Sequence, residues 1–176
     1  MTLAQVKTLS ASYGRPEFAA ERVPTLAELC AIVSSLAGIP IRQAYAVTGS
    51  IDQSGNVQAI GAVNEKIEGF FDICKARGLT GEQGVVIPQS NAKHLMLRED
   101  VVAACIEGRF HVYAVEDVDQ AVELLTGVLA GEPDAQGLVP EGTINYLVAT
   151  QLAELTALRQ AYAAAGKKRG AAKKAK

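Results

Sequence analysis

The run from Gln43 to Arg77, QAYAVTGSIDQSGNVQAIGAVNEKIEGFFDICKAR, constrains this chain more than any other. A strand-like stretch, Ala44 to Ile51, leads into Asp52-Gln53-Ser54-Gly55, with glycine at the fourth turn position that type I turns favour. Asn56 to Ile60 returns, which completes a hairpin signal. Gly61-Ala62 interrupts the chain. Val63, Ile67, Phe70, Phe71 and Cys74 then recur at helical spacing, with Lys66 in the first turn beside the apolar stripe. Any fold for this chain must let a hairpin feed directly into an amphipathic helix.

The flanking segments alternate strand and helix patterns. Pro24 belongs near a helix start, and Thr25-Leu26-Ala27-Glu28 has the spacing of a capping box. Leu26, Leu29, Cys30, Val33, Leu36 and Ala37 line one face, and Gly38 with Pro40 ends that helix. Gly84 to Pro88 reads as a buried strand closed by proline. Val101 to Ile106 reads as a short helix and Phe110 to Val115 as a strand. Asp117 caps a helix carrying Val118, Ala121, Val122 and Leu125, which Gly127 ends. This order predicts an α/β (α+β) fold with mixed strand directions.

The domain expectation is a body over 1–127, whose first 22 residues show no periodicity. A Gly- and Pro-bearing connector follows at 128–142. An amphipathic helix follows at 143–165, able to pack on the body or on a partner, and a basic disordered tail at 166–176. The tail, GKKRGAAKKAK, holds six of the seventeen basic residues and no acid, so residues 1–165 carry eleven basic against nineteen acidic groups. An acidic body argues against a dedicated nucleic-acid domain. No apolar run reaches membrane-spanning length and no secretory signal is visible, so a cytoplasmic protein is expected. Cys30, Cys74 and Cys105 fall in apolar helical patterns and read as reduced, buried thiols.

Few chemistries survive. No histidine or cysteine pair has metal-ligand spacing, and there is no phosphate-binding loop, so neither metal, cofactor nor intrinsic ATPase is expected. His111 reads as a structural strand residue and His94 as a surface residue. What remains is hydroxyl plus lysine. A lysine neutral through burial can take the proton of a nucleophilic hydroxyl, and a nearby threonine such as Thr48 can orient the amine.

Leu26-Ala-Glu-Leu-Cys, Ser35-Leu-Ala-Gly-Ile-Pro-Ile-Arg-Gln, Ala46-Val-Thr-Gly-Ser-Ile-Asp-Gln, Ala59-Ile-Gly-Ala-Val-Asn-Glu-Lys-Ile-Glu-Gly-Phe-Phe and Gly78-Leu-Thr-Gly-Glu-Gln-Gly-Val-Val-Ile-Pro closely resemble the proteolytic domain of Lon proteases, nearest the bacterial LonB-type branch. The similarity runs from about Ser12 to Ile144. It implies the Lon proteolytic fold over 24–127 and a serine endopeptidase with a Ser–Lys dyad. It places the dyad lysine at Lys66 and the threonine that contacts it at Thr48. It also implies six-membered rings, alone or mixed with a homologue, peptide or unfolded-protein substrates, and a separate ATPase partner.

The resemblance departs where it matters most. The family serine lies in a pattern like G-D-S-A-S, and the matching residues here are Glu21-Arg22-Val23-Pro24-Thr25. Val23 therefore takes the nucleophile's place, and valine has no oxygen to attack with. Gly61-Ala62 replaces the family's paired glycines, and Arg15 to Ala20 looks like extra length. Thr25 is a substitute nucleophile only if it is released from its capping role; Ser10 and Ser12 are weaker candidates. The expectation is a pseudoenzyme that binds or assembles. An active peptidase with a relocated nucleophile and a plain interaction protein are the alternatives.

Overall fold

The computed structural model describes residues 25–174, with side chains described through residue 163. Its first helix, α1, spans Leu26–Ala37. The capping box read from the sequence closes it: Thr25 Oγ1 accepts from Glu28 N at 3.2 Å, and Glu28 Oε2 accepts from Thr25 N at 3.1 Å. Gly38, in the left-handed region at φ 68°, ends it.

Three parallel strands form the central sheet, in the order β1 (Tyr45–Val47), β4 (Gly84–Pro88), β5 (His111–Val115). A separate antiparallel pair joins β2 (Ser50–Ile51) to β3 (Val57–Gln58). Both strand directions are present, as an α/β chain with a hairpin requires. The stretch Ala44–Ile51, expected as one strand, is divided. Thr48 N still donates to Val86 O at 3.0 Å, continuing the β1–β4 ladder, and beyond Gly49 the chain leaves for the hairpin. Local pattern could not reveal the break, because both pieces are apolar enough to read as one strand.

The hairpin turn is locked by Asp52, whose Oδ1 accepts from Ser54 N and Asn56 N and whose Oδ2 accepts from Asn56 Nδ2. These bonds hold the Asp52 carboxyl below its ordinary value, with the Asn56 side chain the largest cause. The hairpin docks on the end of β5: Val57 N donates to Glu116 O, and Val118 N to Gly55 O.

Helix α2 (Val63–Arg77) follows the hairpin directly. The short α3 (Gln89–Ala92) and α4 (Glu99–Ile106) link β4 to β5, and α5 (Val118–Thr126) follows it, capped by Asp117 and ended by Gly127. β4 is buried along its whole length, and its side chains alternate between two cores. Val86 joins Leu26, Leu29 and Val33 of α1 with Val122 and Leu125 of α5. Val85 and Ile87 join Ile67 and Phe71 of α2, Val101 of α4 and Phe110. Phe71 meets Phe110 edge-on at 5.2 Å between ring centroids.

The final helix, α6, runs Ile144–Lys174, past residue 165 where the sequence reading ended it. Ala, Lys and Arg dominate this extension, and all three favour helix. Its first turns belong to the body. Ile144 and Val148 are buried against the α1 side of the core, and Ile144 N and Asn145 N donate to Leu129 O and Ala130 O. The segment between α5 and α6 thus folds back on the body, with Ala130 N also donating to Glu123 Oε1. Among the described residues no helix is long and apolar enough to cross a membrane.

Candidate active site

Lys66 Nζ donates to Thr48 Oγ1 at 3.3 Å. Eighteen residues separate the two in sequence. The contact arises because Thr48 directly follows β1 at the sheet's edge and Lys66 sits in the first turn of α2, packed over that sheet through Val63 and Ile67. Several bonds fix the start of α2. Lys66 N donates to Ala62 O at 3.1 Å. Buried Asn91 clamps the segment ahead of the helix, its Oδ1 accepting from Ile60 N and its Nδ2 donating to Ile60 O, both at 3.0 Å. The outer face of α2 is held by Asn64 Oδ1, which accepts from Met96 N, and by Glu68 Oε1, which accepts from Arg98 N.

Ala62 itself is in the left-handed region at φ 56°, ψ 37°, the lone non-glycine residue at positive φ among those described. Its Cβ makes that conformation costly by about 1–2 kcal/mol. The alanine occupies the second position of the motif that in the resembled family carries two glycines.

The sequence reading made burial the condition for a neutral lysine, and Lys66 is exposed in the structure. It lies at the edge of the apolar stripe, and its amine reaches Thr48 along the surface instead of through the core.

The start of α1 approaches the same strand end. Leu26 N donates to Gly49 O at 3.0 Å, and Thr25 pairs with Ser50 in an isolated antiparallel bridge. Thr25 is exposed, and its hydroxyl is committed to Glu28: Oγ1 donates to Oε2 at 3.0 Å as well as capping the helix. Gly49 leaves little room for a side chain. A Cβ there would lie 3.1 Å from Val57 Cγ1 and 3.4 Å from Leu26. Val23, Ser10 and Ser12 lie outside the described residues.

The remaining candidates resolve simply. His111 Nε2 donates to Gly81 O at 2.9 Å, a structural role. His94 is exposed. No group of three or more potential metal ligands exists among the described residues. All three cysteines are free, and burial raises the thiol of each, Cys30 to about 12. A cleft of about 620 Å³ between Arg42, Tyr45, His111 and Tyr113 opens at the starting ends of the parallel strands, away from Thr48 at the finishing end of β1.

Sequence reasoning missed Asn91 and Ala62 as positioning residues. Asn91 left no local signal, since its partner Ile60 is 31 positions away. Ala62 did leave one, the departure from paired glycines, but a sequence does not print a φ angle.

A sheet, a hairpin and a helix that bring a lysine amine to a threonine hydroxyl define a Lon-type proteolytic fold. Residues 24–127 match the Lon protease (S16) C-terminal proteolytic domain, and the chain belongs to that family. It is 51% identical over 105 residues to a Lon protease homolog of Escherichia coli (strain K12), covering 60% of this chain and 18% of that protein. Over 103 residues it is 54% identical to a Lon protease homolog of Haemophilus influenzae, covering 58% and 17%. An archaeal Lon protease of Methanocaldococcus jannaschii is 38% identical over 101 residues, covering 57% and 13%. The chain thus spans less than a fifth of the length of these relatives.

Proposed function

We propose that this chain is a Lon-type proteolytic domain without peptidase activity, serving to bind unfolded peptide segments or to assemble with Lon homologues. The observation that carries this reading is the state of the hydroxyls around Lys66. Thr48, the orienting threonine of the family pattern, is 3.3 Å from the lysine amine. Thr25, the candidate substitute for a nucleophile, is engaged twice by Glu28. Valine stands at position 23, where the family pattern has serine. A dyad needs both a base and an oxygen that attacks, and losing either member of such a unit removes several powers of ten in rate.

A relocated nucleophile is the second reading, favoured by one observation. The Thr25–Ser50 bridge places Thr25 beside the strand end that carries Thr48. The two readings separate in an assay of an unfolded protein substrate with the native chain, Lys66→Ala and Thr25→Ala. No cleavage above background in any of the three is the expected result. Cleavage by the native chain that vanishes in Lys66→Ala overturns the inactive reading. Its further loss in folded Thr25→Ala installs Thr25 as nucleophile.

A further inference from the structure

We propose that the cleft at the starting ends of the parallel strands binds the terminal carboxylate of a peptide, with Arg42 as the group that receives it. The cleft lies at the other end of β1 from Thr48 and Lys66, so the proposal does not depend on the peptidase reading.

Strand register builds the cleft. Tyr45, Gly84 and His111 stand side by side across β1, β4 and β5. Cross-strand neighbours share a face of the sheet, so Gly84 leaves a gap between two large side chains. The Tyr113 ring occupies it: a Cβ on Gly84 would lie 2.9 Å from Tyr113 Cε2 and 2.8 Å from His111 O. Tyr113 meets Tyr45 edge-on at 5.5 Å between ring centroids and lies 5.7 Å from the His111 ring. His111 is fixed in turn by its Nε2 bond to Gly81 O. The three rings form a half-buried wall on a cavity of about 620 Å³, a size typical of small-ligand sites.

Arg42 supplies the charge. Its backbone N donates to Leu125 O at 2.9 Å, and its guanidinium lies over Gly127, where an added Cβ would be 2.5 Å from Nη2. The bare glycine is what gives the guanidinium its place against the cleft. Among the described residues no carboxylate pairs with Arg42 and no acceptor meets its fork of N–H donors. Burial first, and then the Tyr45 hydroxyl, hold the Tyr113 phenol above its ordinary value, while the Arg42 charge pulls it the other way. A phenol that keeps its proton can donate to an anion held by the guanidinium.

Charge also selects the ligand. Glu82 lines the cleft too, exposed and without an ion pair among the described residues. One cation against one anion suits a single negative charge and disfavours a phosphate dianion. The planar fork of arginine matches a carboxylate through two parallel bonds. A free amino acid would bring its ammonium beside the guanidinium, so an acylated residue, as at the end of a peptide, fits better. The tyrosine rings offer that residue's side chain an apolar wall.

NMR titration of the 176-residue chain tests this, with an acetylated tripeptide ending in leucine, its C-terminal amide, free leucine and inorganic phosphate as probes. The free acid should shift the amides of Gly84 and His111. It should bind about 10-fold or more tighter than the amide, the scale of hydrogen bonds to a charged group, and tighter than leucine or phosphate. Arg42→Gln should lower the affinity by about the same factor, and Arg42→Lys should recover only part of it, because the charge returns without the fork. Tyr113→Phe keeps the ring and should weaken binding about 2- to 10-fold. Equal binding of acid and amide overturns the proposal, as does unchanged affinity in folded Arg42→Gln. Should Arg42→Gln not fold, unchanged affinity in Tyr113→Phe overturns it instead. Tighter binding of leucine or phosphate overturns the assignment to a peptide end. No shift at millimolar peptide, or shifts confined to the surroundings of Lys66, refutes the cleft as the site.

Discussion

The two sides of the Lys66 site are built to different standards. On one side, α2 holds Lys66 against Thr48 through a fully packed core, the Asn91 clamp and the Asn64 and Glu68 bonds to the neighbouring loop. On the other, α1 is also well anchored, by Leu26 and Leu29 in the core and by its bond to Gly49 O. What leads into α1 is not the family's Gly-Asp-Ser-Ala-Ser but Glu-Arg-Val-Pro-Thr. On the reading proposed above, the residues that pack these elements are retained, while the short segment leading into α1, where the resembled pattern has its serine, is rewritten.

The largest effect that would sharpen this contrast is a gain of activity. Replacing residues 21–25 with Gly-Asp-Ser-Ala-Ser should raise cleavage of an unfolded protein by about 100-fold or more, the scale of one positioned base. Lys66→Ala in that background should abolish the gain, and labelling by a fluorophosphonate should follow cleavage. A replaced segment that labels no better than the native chain means the Lys66 side is also impaired.

Gly49→Val attacks the junction between the two sides. The new side chain would meet Val57 and Leu26, and overpacking of this kind costs about 1–3 kcal/mol. Denaturant unfolding measures it; an unchanged midpoint would show the junction to be looser than its distances imply.

Thr25→Ala removes the α1 cap and should cost about 1 kcal/mol without altering activity. Ala62→Gly acts on the other side with opposite sign. It relieves a left-handed alanine and should raise stability by about 0.5–1 kcal/mol after the added freedom of the unfolded glycine is subtracted. A loss of stability on Ala62→Gly would mean that the helix start is not strained.

The smallest effect concerns acid. Arg98 bonds Asp72 and Asp100, and Lys75 also reaches Asp100 at 3.0 Å. These bonds, Arg98 foremost, hold both carboxyls below the ordinary 3.8. Groups with a depressed folded value stabilise above the unfolded value, and that contribution is lost as pH falls through the folded one. Arg98→Ala should therefore flatten the decline of Tm below about pH 4 while lowering Tm slightly at pH 7. The groups are exposed, so the change is small.

Much of this was legible in the sequence because it is local. The capping box at Thr25, the Asp117 cap, the glycine stops at Gly38 and Gly127 and the buried strand Gly84–Pro88 each depend on neighbours within a few residues. Lys66 and Thr48 were named as a pair from the family motifs they sit in. Their separation of eighteen positions carries no geometric information by itself.

Only the tertiary structure decided the rest. It divided Ala44–Ile51 into two strands, because Val86 and Val57 compete for successive pieces of one apolar run. It set Lys66 at the surface, because the edge of a helical stripe becomes core or surface according to what packs beside it. It also joined the first turns of α6 to the body and left Leu155, Leu158 and Tyr162 exposed, although all belong to one continuous apolar pattern. Periodicity determines which face of a helix is apolar. How far along its length that face is covered depends on the extent of the neighbouring helix, and that is a property of the whole fold.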